Sequence, residues 1–338
     1  MTSPTLNRRA FTRGVGAAAA IAMAPGIVRA QGRKVRIGYL HVLSVDAHMW
    51  MAQHLGSWKK EGLDVELREF NSGIELFQAM IGGSIDVLTT GGVLSNFPAR
   101  GQGKVFLVND IEWSIGQVWI NTKAGINSIA DLKGKKIATT RGTTAHNLLH
   151  QALKSVGLDS RKDVEIVNQR MPDAVTSFAS EAVPAVALWV PFNVPIKKKL
   201  PTAKMLFDGS SFPSAAIVDG WAARNDFYDK QKDVLRSFVR GWIPANEFLI
   251  NEPQAALEIL HKNHYANLTR EDVDEMHRGA RFYRTAEWLK HYESGEVTKW
   301  LNQVTNFNVE VGAIENPMMA DKYFDPSIFI DVAKGFRA

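Results

Sequence analysis

The chain has 338 residues and no cysteine, and its 40 lysines and arginines against 35 aspartates and glutamates give a formal net charge of +5. Without cysteine it can form no disulfide and no thiolate metal site, and it can carry no lipid-modified cysteine. Four arginines and no acidic residue lie in the first thirty residues, so the remainder carries only +1. That small charge argues against nucleic-acid binding.

Residues 1–30 have the pattern of an export signal. Arg8 and Arg9 precede an apolar run that reaches Val28, and small residues lead up to Ala30. This pattern predicts a twin-arginine signal that is cut after Ala30. A periplasmic protein of 308 residues without a lipid anchor would remain, a length that suits two domains. The apolar run is too short and too rich in alanine to span a bilayer well, and no later segment has eighteen uninterrupted apolar residues.

The mature chain opens with a β-α-β-α-β series of elements. Strands are predicted at 33–40, 63–70, 85–90 and 104–110. We expect the first helix to be capped by Asp46 and to run through Lys60, with Gly62 as its stop. The helix IELFQAMIGG follows the second strand. Such alternation predicts an α/β fold with mostly parallel sheets and helices on their faces.

A second unit of the same plan begins near Gln117. Its strands are predicted at 135–140, 164–170 and 185–190, a further strand lies within 214–227, and helical patterns follow at 229–250, 253–263, 269–281 and 285–305. We interpret 117–121 and 218–222 as paired crossings between two lobes. The first lobe would comprise 33–117 and 222–338, and the second 118–221. A pocket is then expected in the cleft, outside the carboxyl ends of the strands.

The stretch KKIATTRGTTAHNLL passes from a strand into a helix through Arg141 and Gly142. Thr143 or Thr144 could cap the helix by accepting from one of its free N–H groups, which is the simpler interpretation of this stretch alone. Alternatively, the open N–H groups and both hydroxyls could bind an anion. A helix dipole contributes about 0.3–1 kcal/mol, whereas micromolar binding needs about 8 kcal/mol. An anion site here would therefore also need charge-assisted hydrogen bonds and closure of the two lobes.

Four motifs in order resemble periplasmic binding proteins of the nitrate/sulfonate/taurine group. They are WMAQHLGSWKKEGLDVEL, FNSGIELFQAMIGGSIDVLTTGG, SIADLKGKKIATTRGTTAHNLL and ALWVPF, and the likeness covers roughly residues 35–225. The chain departs from the pattern at 181–185, where Pro184 enters a segment that usually reads G-x-V-D-A, and at Val190, where glutamate is common. The resemblance implies a type II fold of two α/β lobes joined by two strands. Such proteins close around a small ligand and deliver it to an ABC transporter permease in the inner membrane.

The resemblance also implies a set of ligand-binding residues in three segments. Carried onto this sequence, they are Ser44, Asp46, His48, Gly91, Gly92, Val93, Thr143, Thr144, Ala145 and His146, with Trp189 and Asp219 nearby. Asp46 is either a helix cap or, if it points into the cleft, a partner for the ammonium group of a zwitterion such as taurine. Arg141 either adds positive charge to the site or lies exposed.

These observations predict a monomeric periplasmic binding protein for a small anion or zwitterion such as a sulfonate, taurine or nitrate. We expect no cofactor, no catalytic residue and no metal site, because His41, His48 and His146 are loosely spaced and accompanied by neither cysteine nor paired carboxylates. Two alternatives stay open. One is an enzyme on the same fold exported by the twin-arginine route, although related enzymes use cysteines. The other is a ligand-sensing module that reports to a receptor.

Overall fold

The computed structural model describes residues 32–213 and 217–336, and the predicted signal peptide lies outside these residues. The strands are β1 (Arg33–Leu40), β2 (Leu63–Phe70), β3 (Val87–Thr90), β4 (Lys104–Glu112), β5 (Gly116–Asn121), β6 (Lys136–Thr139), β7 (Glu165–Asn168), β8 (Ala185–Trp189), β9 (Ala203–Asp208), β10 (Ile217–Ala223) and β11 (Ala280–Arg281). The helices of the first half are α1 (Leu43–His54), α2 (Ser57–Lys60), α3 (Gly73–Ile81), α4 (Thr144–Ser155), α5 (Met171–Ala179) and α6 (Asn193–Lys199). Those of the second half are α7 (Asn225–Lys230), α8 (Lys232–Asn251), α9 (Pro253–Asn263), α10 (Arg270–Arg278), α11 (Thr285–Glu293), α12 (Glu296–Glu310), α13 (Ala320–Tyr323) and α14 (Ser327–Gly335).

Two mixed sheets organise these elements. The first has the order β11-β4-β10-β3-β1-β2, and the second has the order β7-β6-β8-β5-β9. β1 runs parallel to β2 and β3, whereas β10 is antiparallel to β3 and β4. In the second sheet β6 is parallel to its neighbours, and β5 is antiparallel to β8 and β9. The α/β fold is confirmed, but the sheets are mixed rather than mostly parallel, because β5 and β10 follow the crossings and run against the βαβ strands.

The crossings between the sheets lie outside the segments that the sequence suggested. All of β5 pairs within the second sheet, and all of β10, from Ile217 onward, pairs within the first. The first crossing is therefore the short link 113–115, and 218–222 is a central strand of the first sheet rather than a crossing. We propose that the second lobe begins at Gly116 and ends before Ile217.

Glycine divides two helices that were each predicted as one. Gly56 has φ 61° and separates α1 from α2, and Gly295 has φ 77° and separates α11 from α12. Both are left-handed conformations that glycine adopts without steric cost and that a continuous helix cannot contain. α1 also starts before Asp46, since Val42 is its extended N-cap residue.

The predicted departures at 181–185 and Val190 have structural counterparts. Glu181 takes a left-handed φ of 62°, and its carboxylate accepts a hydrogen bond from Asn121 Nδ2 at 2.7 Å and pairs with Lys123. These contacts hold the turn into β8 in a conformation that usually requires glycine. Val190 is buried, and its backbone N–H donates to the carbonyl of Ile115 at 3.0 Å, which ties the end of β8 to the first crossing.

Apolar packing holds in place the elements that line the cleft, among them β10 and α4. In the first lobe Trp221 on β10 is fully buried and packs against Trp58 and Phe238. In the second lobe α4 buries Leu149 and Leu153 completely. The helix is thereby anchored along one face while its N-terminal end points towards the first lobe. Across the described part of the chain, every helix is too short or too polar to cross a bilayer.

Candidate functional site

The start of α4 makes contacts that differ from helix capping. Thr143 is the N-cap residue, but its hydroxyl donates to the carbonyl of Thr140 at 2.7 Å. The Thr144 hydroxyl donates to Glu112 Oε1 at 2.8 Å. Neither hydroxyl accepts from an N–H group of its own helix, so the capping interpretation is wrong. The Thr144 side chain instead joins the second lobe to the end of β4 in the first.

The loop after β3 touches α4 through two glycines. The Gly92 N–H donates to Thr144 Oγ1 at 3.1 Å. A Cβ on Gly92 would lie 2.6 Å from the Thr144 nitrogen, and one on Gly91 would lie 2.2 Å from Glu112 Oε1 and 2.4 Å from Asp219 Oδ1. These approaches are possible only without a side chain. The two lobes therefore meet at Gly91, Gly92, Glu112 and Thr144.

A narrow pocket of about 30 Å³ lies at this junction. It is lined by seven of the predicted residues, Ser44, Gly91, Gly92, Val93, Thr143, Thr144 and Trp189, and also by Glu112. A water molecule occupies about 30 Å³ in the liquid. In this closed arrangement the narrow pocket thus holds roughly one water, and protein atoms fill most of the expected anion site.

Three carboxyl groups converge beside the narrow pocket, which the sequence analysis missed. Asp110 and Glu112 lie two residues apart on β4, and Asp219 pairs with Asp110 across β10. Asp110 and Asp219 are fully buried. Burial raises the pKa of all three carboxyls, and the charge of Asp219 raises those of Asp110 and Glu112 further. The expectation that the chain has no paired carboxylates was wrong. The sequence did contain a sign of the pair, because Asp110 and Glu112 are two residues apart in an apolar strand and therefore share a face.

Several oxygens of this cluster are buried and receive no hydrogen bond from any described residue outside the cluster. They are Ser44 Oγ, Asp110 Oδ2, Glu112 Oε2 and both carboxylate oxygens of Asp219. Buried polar atoms of native proteins are nearly always paired. Asp219 forms side-chain hydrogen bonds with Ser44, Asp110 and Glu112, so these groups pair with one another inside the cluster. The described residues contain no group of histidine, aspartate and glutamate side chains that could hold a metal ion.

Asp46 lies elsewhere, and both interpretations of it are corrected. It sits inside the first turn of α1 and caps nothing. Its Oδ1 accepts from the Tyr265 hydroxyl at 2.6 Å, and its Oδ2 accepts from Trp50 Nε1 at 2.9 Å and lies 2.9 Å from His41 Nδ1. Burial raises the pKa of Asp46 against the opposing effect of these bonds. A carboxylate so fully engaged by its own lobe has no oxygen left for a ligand.

His48 is a core residue rather than part of the site. It is fully buried, its Nε2 lies 3.1 Å from Asn246 Oδ1, and its ring stacks on Trp242 with centroids 4.9 Å apart. Burial lowers the pKa of His48 to about 3, so the imidazole is neutral. His48 shares a helix face with Ser44 but lies one turn further along α1, where that face packs against Asn246 and Trp242 of α8.

Ala145 and His146 also point away from the narrow pocket. Both are buried, and the His146 ring packs edge-on against Phe307. His146 Nδ1 accepts the Gly142 N–H at 3.0 Å, so this histidine ties the turn before α4 to the first turn of the helix. Burial, followed by the charge of Arg141, lowers its pKa to about 4. Arg141 itself is exposed.

A larger cavity of about 240 Å³ lies on the other side of Glu112. We call it the hinge chamber and define it by Glu112, Trp113, Gln151, Arg281, Tyr283 and Trp300. The Arg281 guanidinium lies over the Trp113 ring, 3.2 Å from its centroid. Sequence reasoning assigned 281 to the end of a helix, and no local pattern indicated that β11 would place it beside β4.

Comparison with known proteins assigns the family. The model described as NMT1/THI5 like matches residues 45–256, well over half of the chain. This chain belongs to the NMT1/THI5-like family. The NMT1/THI5-like protein is 25% identical to a binding protein of Brucella abortus (strain 2308) over 320 residues, 94% of this chain and 98% of that relative. It is 26% identical to the taurine-binding periplasmic protein of Escherichia coli (strain K12), over 78% of this chain and 82% of that one.

Solved structures show the fold of this NMT1/THI5-like protein. The alkanesulfonate-binding protein SsuA of Xanthomonas axonopodis pv. citri, bound to MOPS, matches it with a TM-score of 0.71 at 19% identity. The match covers 88% of this chain and 100% of that structure. The predicted resemblance to periplasmic binding proteins is confirmed.

Proposed function

We propose that this protein is the periplasmic solute-binding component of an ABC importer and that its cargo is a small amino sulfonate of the taurine type. The observation that carries the proposal is the meeting of both lobes at Glu112, where the Thr144 hydroxyl and the loop at Gly91 and Gly92 converge. A solute held beside this junction, between the lobes, would be enclosed by both of them. Relatives named for taurine and alkanesulfonate binding support this solute class.

The charges at the junction favour a zwitterion over a simple anion. The narrow pocket is lined by Glu112 and by no described lysine or arginine. A bare anion such as nitrate would meet a carboxyl group and only the weak positive end of the α4 dipole, about 0.3–1 kcal/mol. An ammonium group would instead meet the carboxyl group of Glu112, with Asp110 and Asp219 close behind it.

A thermal-shift series with calorimetry tests this function. Taurine should raise the melting temperature most, because the zwitterion should bind most tightly. A solute present at 100 times its Kd stabilises the folded state by about 2.7 kcal/mol. Ethanesulfonate is the matched control because it lacks only the ammonium group, and nitrate is the simple anion. A shift with nitrate equal to that with taurine contradicts the zwitterion, and no shift with any of the three contradicts the solute class. Chemical turnover of taurine would support the enzyme alternative.

We further propose that the chain is exported, cleaved after Ala30, free of a lipid anchor, monomeric, and a partner of an inner-membrane permease. The twin arginine at residues 8 and 9 supports export, and the absence of cysteine supports the lack of a lipid anchor. The protein purified from the periplasmic fraction for the thermal-shift series should have the intact mass of residues 31–338 and elute as a monomer. A mass that includes residues 1–30 would contradict the cleavage.

A further inference from the structure

The narrow pocket and the hinge chamber share Glu112 but differ eightfold in volume. About 30 Å³ admits roughly one water, whereas about 240 Å³ admits roughly eight. The larger value lies close to the roughly 300 Å³ at which pockets for organic ligands begin. The hinge chamber is also built from both lobes, since Gln151 belongs to α4 of the second lobe and Trp300 to α12 of the first. Lobe closure would therefore enclose a solute in the hinge chamber.

One charged group in the hinge chamber lacks an ionic partner among the described residues. Within the described chain, the Arg281 guanidinium forms no hydrogen bond or ion pair and only stacks on Trp113. The nearby acid Glu296 is already engaged, with its Oε2 2.5 Å from His291 Nδ1. Glu112, which also lines the hinge chamber, accepts the Thr144 hydroxyl at Oε1 and hydrogen-bonds with Asp219. The hinge chamber thus contains a guanidinium without an anionic partner in the described part of the chain, and the carboxyl group of Glu112 lines the same cavity.

Three walls of the hinge chamber are aromatic. Trp113, Tyr283 and Trp300 line the hinge chamber. The Tyr283 and Trp300 rings both pack against His291, with centroids 4.8 and 5.3 Å away, which fixes their orientation. Aromatic walls favour a planar or apolar body, and a few polar groups then orient it.

We propose that the hinge chamber is the seat of the cargo and takes a zwitterion with a planar or apolar body. Its anionic group pairs with Arg281, its ammonium group reaches Glu112, and its body lies along Trp113 and Trp300. The inference rests on the proposed solute-binding function and deepens it. It moves the anion from the N-terminus of α4 to a guanidinium that sequence reasoning did not identify, and it admits solutes larger than taurine.

Calorimetry with a matched set of probes tests the hinge chamber. The probes are 4-(aminomethyl)benzenesulfonate, toluene-4-sulfonate, which lacks the ammonium group, and benzylamine, which lacks the sulfonate. Arg281→Gln should weaken the first two probes at least tenfold and leave benzylamine unchanged, because only the anionic end meets Arg281. Arg278→Gln removes an exposed arginine three residues earlier and should change every affinity less than twofold. Glu112→Gln should weaken the first and third probes and spare toluene-4-sulfonate.

The outcomes separate this inference from the proposed function. Suppose that taurine binds the wild-type protein. If Arg281→Gln then binds all three aromatic probes as the wild type does, or if none of these probes binds the wild type, the hinge chamber is not the binding site of the cargo and the proposed function stands. If neither taurine nor any aromatic probe binds the wild type, both fail. Arg281 is exposed, so equal melting temperatures of Arg281→Gln and the wild type will show that the variant folds.

Discussion

Thr144 illustrates how much one small side chain does at the junction of the lobes. Its hydroxyl donates to Glu112 and accepts from the Gly92 N–H, and both partners belong to the first lobe. Thr143, next to it, uses its hydroxyl within the second lobe, on Thr140. The two threonines therefore have the same chemistry but different roles, one between lobes and one inside a lobe.

Thr144→Ala should weaken cargo binding between fivefold and a hundredfold. In the closed form the Gly92 N–H would lose its acceptor, and a buried unpaired donor costs about 1–3 kcal/mol. The open form can hydrate that group, so the free energy of unfolding should change little. Calorimetry and denaturant unfolding measure both quantities. Thr143→Ala is the matched control and should reduce the free energy of unfolding more than the cargo affinity. If Thr144→Ala instead lowers stability and leaves affinity unchanged, Thr144 does not contribute to lobe closure.

The carboxyl cluster makes the stability of the folded protein depend on pH. Because burial raises the pKa of Asp219 in the folded protein, its contribution to stability is fully present below the unfolded pKa of about 3.9 and is lost as pH rises through the folded pKa. The same sign holds for Asp110 and Glu112, whose pKa values are raised by burial and by the charge of Asp219.

Asp219→Asn should therefore gain stability over the wild type as pH rises. The variant removes a buried group that must otherwise ionise, and it removes the charge that raises its neighbours' pKa values. The free energy of unfolding of both proteins, measured in urea at pH 4, 6 and 8, should show a difference that grows with pH. Asp229→Asn on the exposed side of α7 controls for the loss of one negative charge. If the difference in unfolding free energy between Asp219→Asn and the wild type stays constant or shrinks as pH rises, the pKa of Asp219 is not raised in the folded protein.

At the scale of elements, α4 is held to the first lobe away from the junction as well. His150 and Lys154 on α4 both contact Glu310 Oε2 on α12 at 2.9 Å. Partial burial would raise the pKa of Glu310, but these two bonds lower it overall. On the other flank, Glu275 on α10 accepts from Asn193 and Lys197. Each edge of the cleft thus has one carboxylate of the first lobe that bridges to the second.

Glu310→Gln should loosen closure without unfolding either lobe. Its side chain is 40% exposed, so solvent screens the pair and we expect less than a tenfold loss of cargo affinity. Small-angle scattering of the cargo-free protein should give a larger radius of gyration for the variant, and added salt should enlarge the wild type in the same direction. Glu293→Gln breaks a pair with Lys334 inside the first lobe and should leave the radius unchanged. An equal radius for all three proteins would contradict the role of Glu310.

For the whole molecule, the two sheets and their crossings determine which parts of the chain form the cleft. β10 returns from the second lobe into the middle of the first sheet, between β3 and β4. Asp219 is thereby placed against Asp110, more than a hundred residues earlier, and β11 is added beyond β4, with Arg281 paired to Ile111. Both the acidic cluster and the hinge chamber depend on this strand order.

The sequence by itself determined the elements with regular spacing and the family. β1 and β2 have the bounds that periodicity predicted, 33–40 and 63–70, because alternation of apolar residues is a local property. Four motifs in order were enough to indicate the periplasmic binding fold. Only the tertiary structure decided which polar groups meet. Asp46 is satisfied by Tyr265, 219 residues away, and Thr144 by Glu112, 32 residues away. Local patterns show which face of an element is apolar, whereas strand order and lobe closure decide which distant side chains share a cavity.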